Sequence, residues 1–434
     1  MMGKKVMIQF LASGLSGLLA FLALSLSARL FGAKILGEIA YLTGLLGIIF
    51  AFSDLGLSRA HVHFTAAKSG RPALASFLTL KLVLLFLCAA LALALGAFNR
   101  QLSLLLLVLL VFEFFFRLAD GLLITFEGQE KVWPQNLIRL SGKLFKLAAV
   151  VVLGLVWSSS LGYSLVFLTE AMLVLAAAAV ISRRFWSWRL DKAVMKDYWR
   201  YSLPFALIVP LSYFQENGLI LIIRNFYSAE TLGVYAAVLG LFGLLKGFSS
   251  GLMVFFFPRM SRFNAAGEID QIQRYTDSVV KLSVWILAPL CLLLFLLAGP
   301  VVTLVLGGQF AGGAGVFRWL LLGVLILAVF TPYDHVLFAT NNHRSIVKVN
   351  LVTTVLVLTF AWLLVPGWAG QGAALALVSG WLIGGVWQFL ILHQKTGIRF
   401  LRDWRLSKVE VKYLYGLIHS FGQAVFRFSG KKTG

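Results

Sequence analysis

The stretch LGEIAYLTGLLGIIFAFS at residues 36–53 returns without a gap as LGVYAAVLGLFGLLKGFS at residues 232–249. Eight of the eighteen positions are identical at a constant offset of 196 residues, and they include Gly37, Gly44 and Gly47 over Gly233, Gly240 and Gly243. Apolar helices share composition, so matched leucines say little. Matched glycines at +7 and +10 from a Leu-Gly start say more, because small residues at helical spacing let backbones approach closely in lipid. Upstream, Arg29-Leu30-Phe31 stands over Arg224-Asn225-Phe226 after a one-residue shift. The chain reads as an internal duplication.

Each copy lies in a long apolar run. Of the 434 residues 60% are hydrophobic and 13% charged, with mean hydropathy +0.90; soluble domains carry about 25% charged residues. The sequence has no Gly-X-Y period, only two cysteines and abundant Leu, Val and Phe, which excludes collagen-like, disulfide-scaffold and disordered chains. A hydrocarbon core about 30 Å thick takes about 20 apolar residues per helix. The apolar runs place spans at 6–30, 36–55, 74–98, 102–125, 135–156, 161–182, 202–223, 232–257, 279–305, 314–338, 347–366 and 371–393. The first is too long for a signal-peptide core and is read as a span. The expected fold is all-α, a polytopic membrane protein with twelve transmembrane helices in two pseudo-symmetric six-helix lobes.

A net charge of +21 in a soluble protein would suggest nucleic acid. Here about 30 of the Lys and Arg residues collect in alternate loops, against five (Arg29, Lys34, Arg100, Arg224, Arg318) in the opposite set. That is the positive-inside pattern, with both termini cytoplasmic and no nucleic-acid partner. The outer loops, such as 157–161, are too short to build an enzyme site. Cys88 and Cys291 sit in apolar runs as packing residues. The second and eighth spans run the same way, which implies halves related by an axis along the membrane normal. The expected units are a lobe at 1–182, a basic cytoplasmic linker at 183–201, a second lobe at 202–393 and a basic tail at 394–434. That tail, with Phe400 and Trp404 among its aromatics, reads equally as a leaflet-bound or a solvated segment. Parallel repeats of this kind occur in secondary transporters, which handle substrate between the halves.

Several ionisable residues fall inside the spans: Glu113, Arg117 and Asp120 in the fourth, Glu170 in the sixth, Glu216 in the seventh and Lys246 in the eighth. Each costs about 2.5–3.5 kcal/mol on insertion scales, so they are expected to pair or to face a cavity. Glu113 and Arg117 have i,i+4 spacing, which fits a stabilising pair as well as a cavity role. Lys246 has no opposite charge one turn away and is the first candidate for binding an anionic substrate; Lys81 serves as the comparison lysine. Arg29 and Arg224 occupy equivalent places near the outer exit, and Arg318 lies at another outer helix end. Glu113, Glu216 and Asp120 are the candidates for ion coupling. His61-x-His63 lacks a Cys or acidic partner, and no Walker lysine motif occurs, so neither a metal nor a nucleotide cofactor is expected.

The run Ala28-Arg29-Leu30-Phe31-Gly32, then Gly37 through Asp54-Leu55-Gly56-Leu57, resembles the opening of the polysaccharide transporter family. These are Wzx-like flippases of the multidrug/oligosaccharidyl-lipid/polysaccharide exporter superfamily. The resemblance continues at Leu232-Gly233-x-Tyr235-Ala236, Phe257-Pro258-Arg259-Met260-Ser261, Leu306-Gly307-Gly308-Gln309-Phe310 and Gly370-Gln371-Gly372-Ala373-Ala374. It implies a protein of the bacterial cytoplasmic membrane that moves undecaprenyl-pyrophosphate-linked oligosaccharide between leaflets, by rocking of two lobes about a central cavity. The implied partners are that lipid-linked oligosaccharide, the bilayer and other polysaccharide-assembly membrane proteins. The family often carries an Asp in the seventh span, where this chain reads Gln215-Glu216-Asn217. Three other readings compete. A drug/cation antiporter of the same superfamily would prefer acidic cavity residues. A peptidoglycan-precursor flippase typically carries two more helices, and a membrane glycan polymerase or ligase needs a large outer loop.

Overall fold

The first two predicted spans are one helical run. In the computed structural model, which describes residues 2–66, 73–98, 103–129, 132–183, 190–340, 342–401, 403–407 and 410, α1 (Met2–Ala51) is interrupted only at Gly32, with φ 77° and ψ 170°. A positive φ there is open to glycine without steric cost. The last two spans join likewise in α13 (His343–Thr396), broken at Ala369. Between them lie α2 (Leu57–Ala66), α3 (Ala73–Phe98), α4 (Leu104–Gly128), α5 (Val132–Val156), α6 (Ser160–Ser182), α7 (Lys192–Ser202), α8 (Ile208–Phe226), α9 (Ala229–Ala265), α10 (Ile269–Leu296), α11 (Ala298–Leu306) and α12 (Ala314–Ala339). The short helices α2 and α7 had no counterpart in the span pattern. The span expected at 279–305 begins ten residues earlier and breaks at Leu297 between α10 and α11.

Counting the arms of α1 and α13 separately, the described residues hold twelve helical segments of nineteen residues or more. Seven helices are long and apolar enough to cross a membrane, and α7 with α8, bent by 48°, is an eighth candidate. α4 and α5 are long enough, but each carries at least three charged side chains in its middle. The outer surface is that of a lipid-facing bundle: Leu155 (72% exposed), Leu304 (75%) and Leu363 (69%) stand bare, which water would not tolerate over so wide an area.

The helices form two lobes, α1–α6 and α8–α13, which meet chiefly through α1 against α8 and α9. The duplication is visible in the seam itself. A Cβ on Gly37 would stand 1.7 Å from the Ala229 carbonyl oxygen, and one on Gly233 would stand 1.7 Å from that of Ala33. Gly44 packs on Ile220, and Gly240 packs on Leu24. Each contact is its partner displaced by 196 residues, with the lobes exchanged. Such reciprocity is what a two-fold relation between lobes produces.

The linker helix α7 belongs to the first lobe rather than lying free between the two. Its fully buried Tyr198 donates or accepts a hydrogen bond with His61 Nδ1 of α2 at 2.9 Å, while His61 Nε2 meets Thr125 Oγ1 of α4 at 2.9 Å. The imidazole also stacks on Phe77, with ring centroids 4.1 Å apart. His61 is thus a clamp. His63, the other half of the motif, stacks on Tyr201. Burial pushes the His61 pKa down to about 3, so the folded state holds the neutral ring. Above the unfolded value near 6.5 the clamp is fully in place. Below it the unfolded chain takes up a proton that the folded chain refuses, and stability falls by about 1.4 kcal/mol per pH unit down to about 3. Thermal unfolding and hydrogen exchange of α7 between pH 7.5 and 5 are expected to show this loss, and His61→Gln to flatten the slope. An unchanged slope in that variant would remove His61 as its source.

The described residues after Thr396 touch the second lobe at several points while remaining largely exposed. Phe400 stacks on Tyr333, and the Trp404 carbonyl accepts from Trp285 Nε1 at 3.0 Å. The rest of the basic tail, 411–434, and linker residues 184–189 lie outside the described residues.

Candidate functional site

At the Gly37 end of the bundle the lobes are fastened by backbone acceptors. The Arg29 guanidinium donates to the Leu304 carbonyl of α11, and Ser25 Oγ donates to that of Val305 at 2.5 Å. Gln309, in the glycine-rich turn after α11, caps the Gly32 break: its Nε2 donates to the Ala28 carbonyl at 3.1 Å, and its Oε1 accepts from Ala33 N at 3.4 Å. Arg224 donates to the Tyr227 carbonyl at 3.2 Å and lies 6.0 Å from the ring centre of Tyr41 in the other lobe. Arg318 is occupied by the Phe295 carbonyl at 3.4 Å. Arg29 is thus a tie across the seam, whereas Arg224 is bonded within its own lobe and only faces the other at Tyr41.

At the opposite end Arg59 of α2 reaches into the second lobe. Its guanidinium lies 5.2 Å from the Phe205 ring centre and 4.8 Å from that of Phe338. Burial pulls the Arg59 pKa down, against the pull of Asp334, Tyr201 and Asp54 in the other direction. Beside it the left-handed pair Leu55 (φ 42°) and Gly56 (φ 82°) brings the chain against the α7–α8 junction, where a Cβ on Gly56 would stand 2.6 Å from the Ser202 carbonyl.

Between the two ends lies a band of charge and aromatic rings contributed by both lobes. Arg117 of α4 pairs with Glu113 at 3.2 Å, as the i,i+4 spacing suggested, and also stacks 4.5 Å over Tyr213 of α8 in the other lobe. Lys246 of α9, which has no acid one turn away on its own helix, is ion-paired with Glu216 of α8; both side chains keep about two-fifths of their surface exposed. The Lys246 ammonium also lies 5.8 Å from the Trp381 ring centre. Trp381 Nε1 donates to Gln215 Oε1 at 3.2 Å, and Gln215 Nε2 donates to Thr354 Oγ1 at 2.9 Å. Gln215 is therefore a satisfied amide turned into its own lobe, while Glu216 faces Lys246.

The remaining intramembrane charges pair within the first lobe. Asp120 meets Arg139 at 2.8 Å, and Glu170 meets Lys143 at 2.8 Å and Lys146 at 3.0 Å. Neither acid reaches Lys246 or Arg117 by a direct bond. Lys81 is no bystander: its ammonium is buried against Asp54 at 2.8 Å. Ser58 Oγ also donates to the Asp54 carboxylate. Removing Lys81 leaves a buried charge unpaired, so it is unsuitable as a neutral control. Tyr213, Trp381 and Arg59 were not singled out in the sequence. The aromatics are hidden among 60 aromatic residues, and Arg59 looked like an ordinary loop cation. Among the described residues no three His, Cys, Asp or Glu side chains converge as a metal site.

A duplicated, lipid-facing helical bundle with a charged band at the lobe seam defines a membrane transporter of the multidrug/oligosaccharidyl-lipid/polysaccharide exporter type. The chain belongs to the polysaccharide biosynthesis protein family, whose model matches residues 26–314, and residues 229–431 match the model of the lipid II flippase MurJ. The capsular polysaccharide biosynthesis protein CapF of Staphylococcus aureus is 20% identical over 376 residues, covering 85% of this chain and 93% of that protein. The fold is similar to the lipid II flippase MurJ in an inward closed conformation (TM-score 0.73, 14% identity, 97% of this chain and 99% of that one). It is also similar to an inward-facing multidrug resistance transporter of the MATE family (TM-score 0.70, 14% identity, 88% and 94%). The outward-facing MATE structure superposes less well, at TM-score 0.61 with 13% identity, covering 89% of this chain and 95% of that one.

Proposed function

We propose that the protein flips an undecaprenyl-pyrophosphate-linked oligosaccharide, a repeat unit of O-antigen, capsule or exopolysaccharide, across the bacterial cytoplasmic membrane by alternating access. The observation that carries this reading is the charged band at the seam, where Arg117 of one lobe and the part-exposed Lys246 of the other each stand opposed by a carboxylate that an anionic substrate could displace. A pyrophosphate needs fixed positive partners in a low-dielectric interior. In this reading residues 1–182 and 202–393 are the moving lobes, and the basic face with both termini is cytoplasmic. The Gly37 end is then the closed outer side. The Arg59 end is the cytoplasmic gate, where a cation between two rings is easier to part than a glycine seam.

Lys246 and Arg117 act as the primary anion ligands, with Arg29, Arg224 and Arg318 near the exit. Glu216, Glu113 and Asp120 are the acids through which an ion could be coupled, Glu216 first because it already opposes the substrate lysine. Deletion of the gene is expected to accumulate an undecaprenyl-pyrophosphate oligosaccharide on the inner leaflet, read by lipid extraction and mass spectrometry. Accumulation of a peptidoglycan precursor instead would favour the second reading, which the MurJ model match supports; accumulation of neither would sink both.

A further inference from the structure

We infer that the sugar unit next to the pyrophosphate docks in a polar recess of the second lobe, between Trp381 and Asp334. This deepens the flippase reading above and rests on it. The recess has a volume of about 150 Å³ and is walled by Gln215 of α8, by Asp334 of α12 and by both arms of α13. The first arm supplies Asn350 and Thr353, and the second supplies Trp381 and Gln388. Gly384 and Gly385 let the helices close around it. A Cβ on the first would stand 2.1 Å from Thr353 Oγ1, and one on the second 2.6 Å from the Phe330 ring. All of the lining belongs to one lobe, so the recess travels as a body when the lobes rock.

Its hydrogen-bonding groups are partly idle. Gln388 is 8% exposed, and its Nε2 has no hydrogen-bond partner among the described residues. A buried amide left so is costly unless something else completes it. No hydrogen bond or ion pair among the described residues reaches the Asp334 carboxylate, which feels Arg59 and His335 only through space. A carboxylate that accepts, with amides and a threonine hydroxyl that both donate and accept, matches the hydroxyls of a sugar, each a donor and an acceptor. The volume corresponds to about five water molecules. That suits one sugar ring and is more than a single cation fills, and a cation's shell would be of oxygens alone.

The recess also lies where the sugar must be. Trp381 joins it to the charged band: the Lys246 ammonium lies 5.8 Å from its ring centre, and the ring is held by Gln215 and stacked on Phe242. From Trp381 to Gln388 is two turns of α13, about 10 Å, towards the Arg59 end. Asp334 stands five residues before the end of α12, whose Phe338 meets Arg59. A lipid of the inner leaflet keeps its tail toward the bilayer midplane and its sugars toward the cytoplasm. With the pyrophosphate on Lys246, the first sugar therefore points toward the Arg59 end, along the recess.

The test uses the full-length protein in phosphatidylethanolamine/phosphatidylglycerol vesicles loaded with radiolabelled undecaprenyl pyrophosphate. Two competitors are compared: unlabelled undecaprenyl pyrophosphate, and the oligosaccharide-bearing lipid extracted from the deletion strain. The parent is expected to bind the glycosylated lipid at least tenfold more tightly than the bare one. Gln388→Leu and Asp334→Asn should each reduce that advantage several-fold, at unchanged thermal stability and with binding of the bare lipid changed less than twofold. Thr353→Val, which removes one hydroxyl at nearly constant shape, takes their place should either fail to reach the membrane. An unchanged advantage in the folded variants, or equal weakening of both lipids, overturns the recess. So does an intact advantage in Asp334→Asn accompanied by loss of a sodium-induced rise in melting temperature, which would make the recess a cation site. If the parent binds both lipids equally, only the recess is wrong. If no lipid-linked oligosaccharide accumulates and the bare lipid does not bind, the flippase reading fails and the sugar site falls with it.

Discussion

Gly37→Ala is expected to reduce export at least tenfold while the protein still reaches the membrane, and Gly233→Ala to do the same. At either position the new methyl would meet a backbone carbonyl oxygen of the other lobe at 1.7 Å. Backbone in a helix cannot swing aside as a side chain can, so the lobes must separate by roughly 1.5 Å to restore ordinary contact. A tenfold effect corresponds to about 1.4 kcal/mol between the closed and parted states at the Gly37 end, a modest figure for a clash this deep. Spin labels at the exposed positions 34 and 230 should report a longer distance in the variants. Gly44→Ala, whose methyl meets an Ile220 side-chain carbon at 3.2 Å, is expected to be milder, and Gly243→Ala, with nothing within 4 Å, to be silent. If the Gly37 and Gly233 variants transport like the parent, close approach at this end is no part of the cycle.

The second large effect is expected at Lys246. Lys246→Ala should lower export more than tenfold at equal protein level, and Lys246→Arg should retain part of it, since it keeps the charge and alters the shape. Lys246 and Glu216 are both about two-fifths exposed, and ion pairs so placed contribute only about 0–1 kcal/mol. On the proposed function Glu216 is then an internal anion that an incoming pyrophosphate, with about two negative charges, would displace. Glu216→Gln should accordingly leave binding of undecaprenyl pyrophosphate intact or tighter, while Lys246→Ala weakens it. Thermal stability separates this from a purely structural pair. Should both variants lose export only in proportion to lost folded protein, the binding role of Lys246 would be gone.

The contrast between Lys246 and Lys81 shows where sequence reasoning stops. Both are single lysines in apolar helices. One is half exposed at the lobe seam, and the other is buried against Asp54, 27 residues away. Nothing in their flanking residues separates the two cases. Several of these helices are apolar nearly all the way round, so the sequence carries little signal for how each is turned about its own axis. That rotation decides which partner a charge meets. Within one helix the rule is local, and Glu113 with Arg117 was legible for that reason. Across helices it is not, and the pairs Lys246–Glu216, Arg117–Tyr213 and Trp381–Gln215 emerged only in the packed structure.

The same division holds for the fold. Hydropathy placed the helices, because a chain in lipid must satisfy its backbone within each segment. The joining of the first two spans through Gly32, and of the last two through Ala369, was invisible, because a single residue off the helical region turns the chain without any polar loop. The docking of α7 on the first lobe depended on His61, Tyr198 and Thr125 converging from three helices. By itself the sequence determined that this is a duplicated helical membrane protein with matched glycines at 37 and 233, since close backbone approach in lipid demands small residues and leaves that mark at both copies; that these glycines meet the backbone of the opposite lobe was decided by the packing. The tertiary structure alone decided which charges are paired and buried, which are paired but part-exposed, and which side of α8 faces outward, since those depend on how each helix is rotated against neighbours far away in the chain.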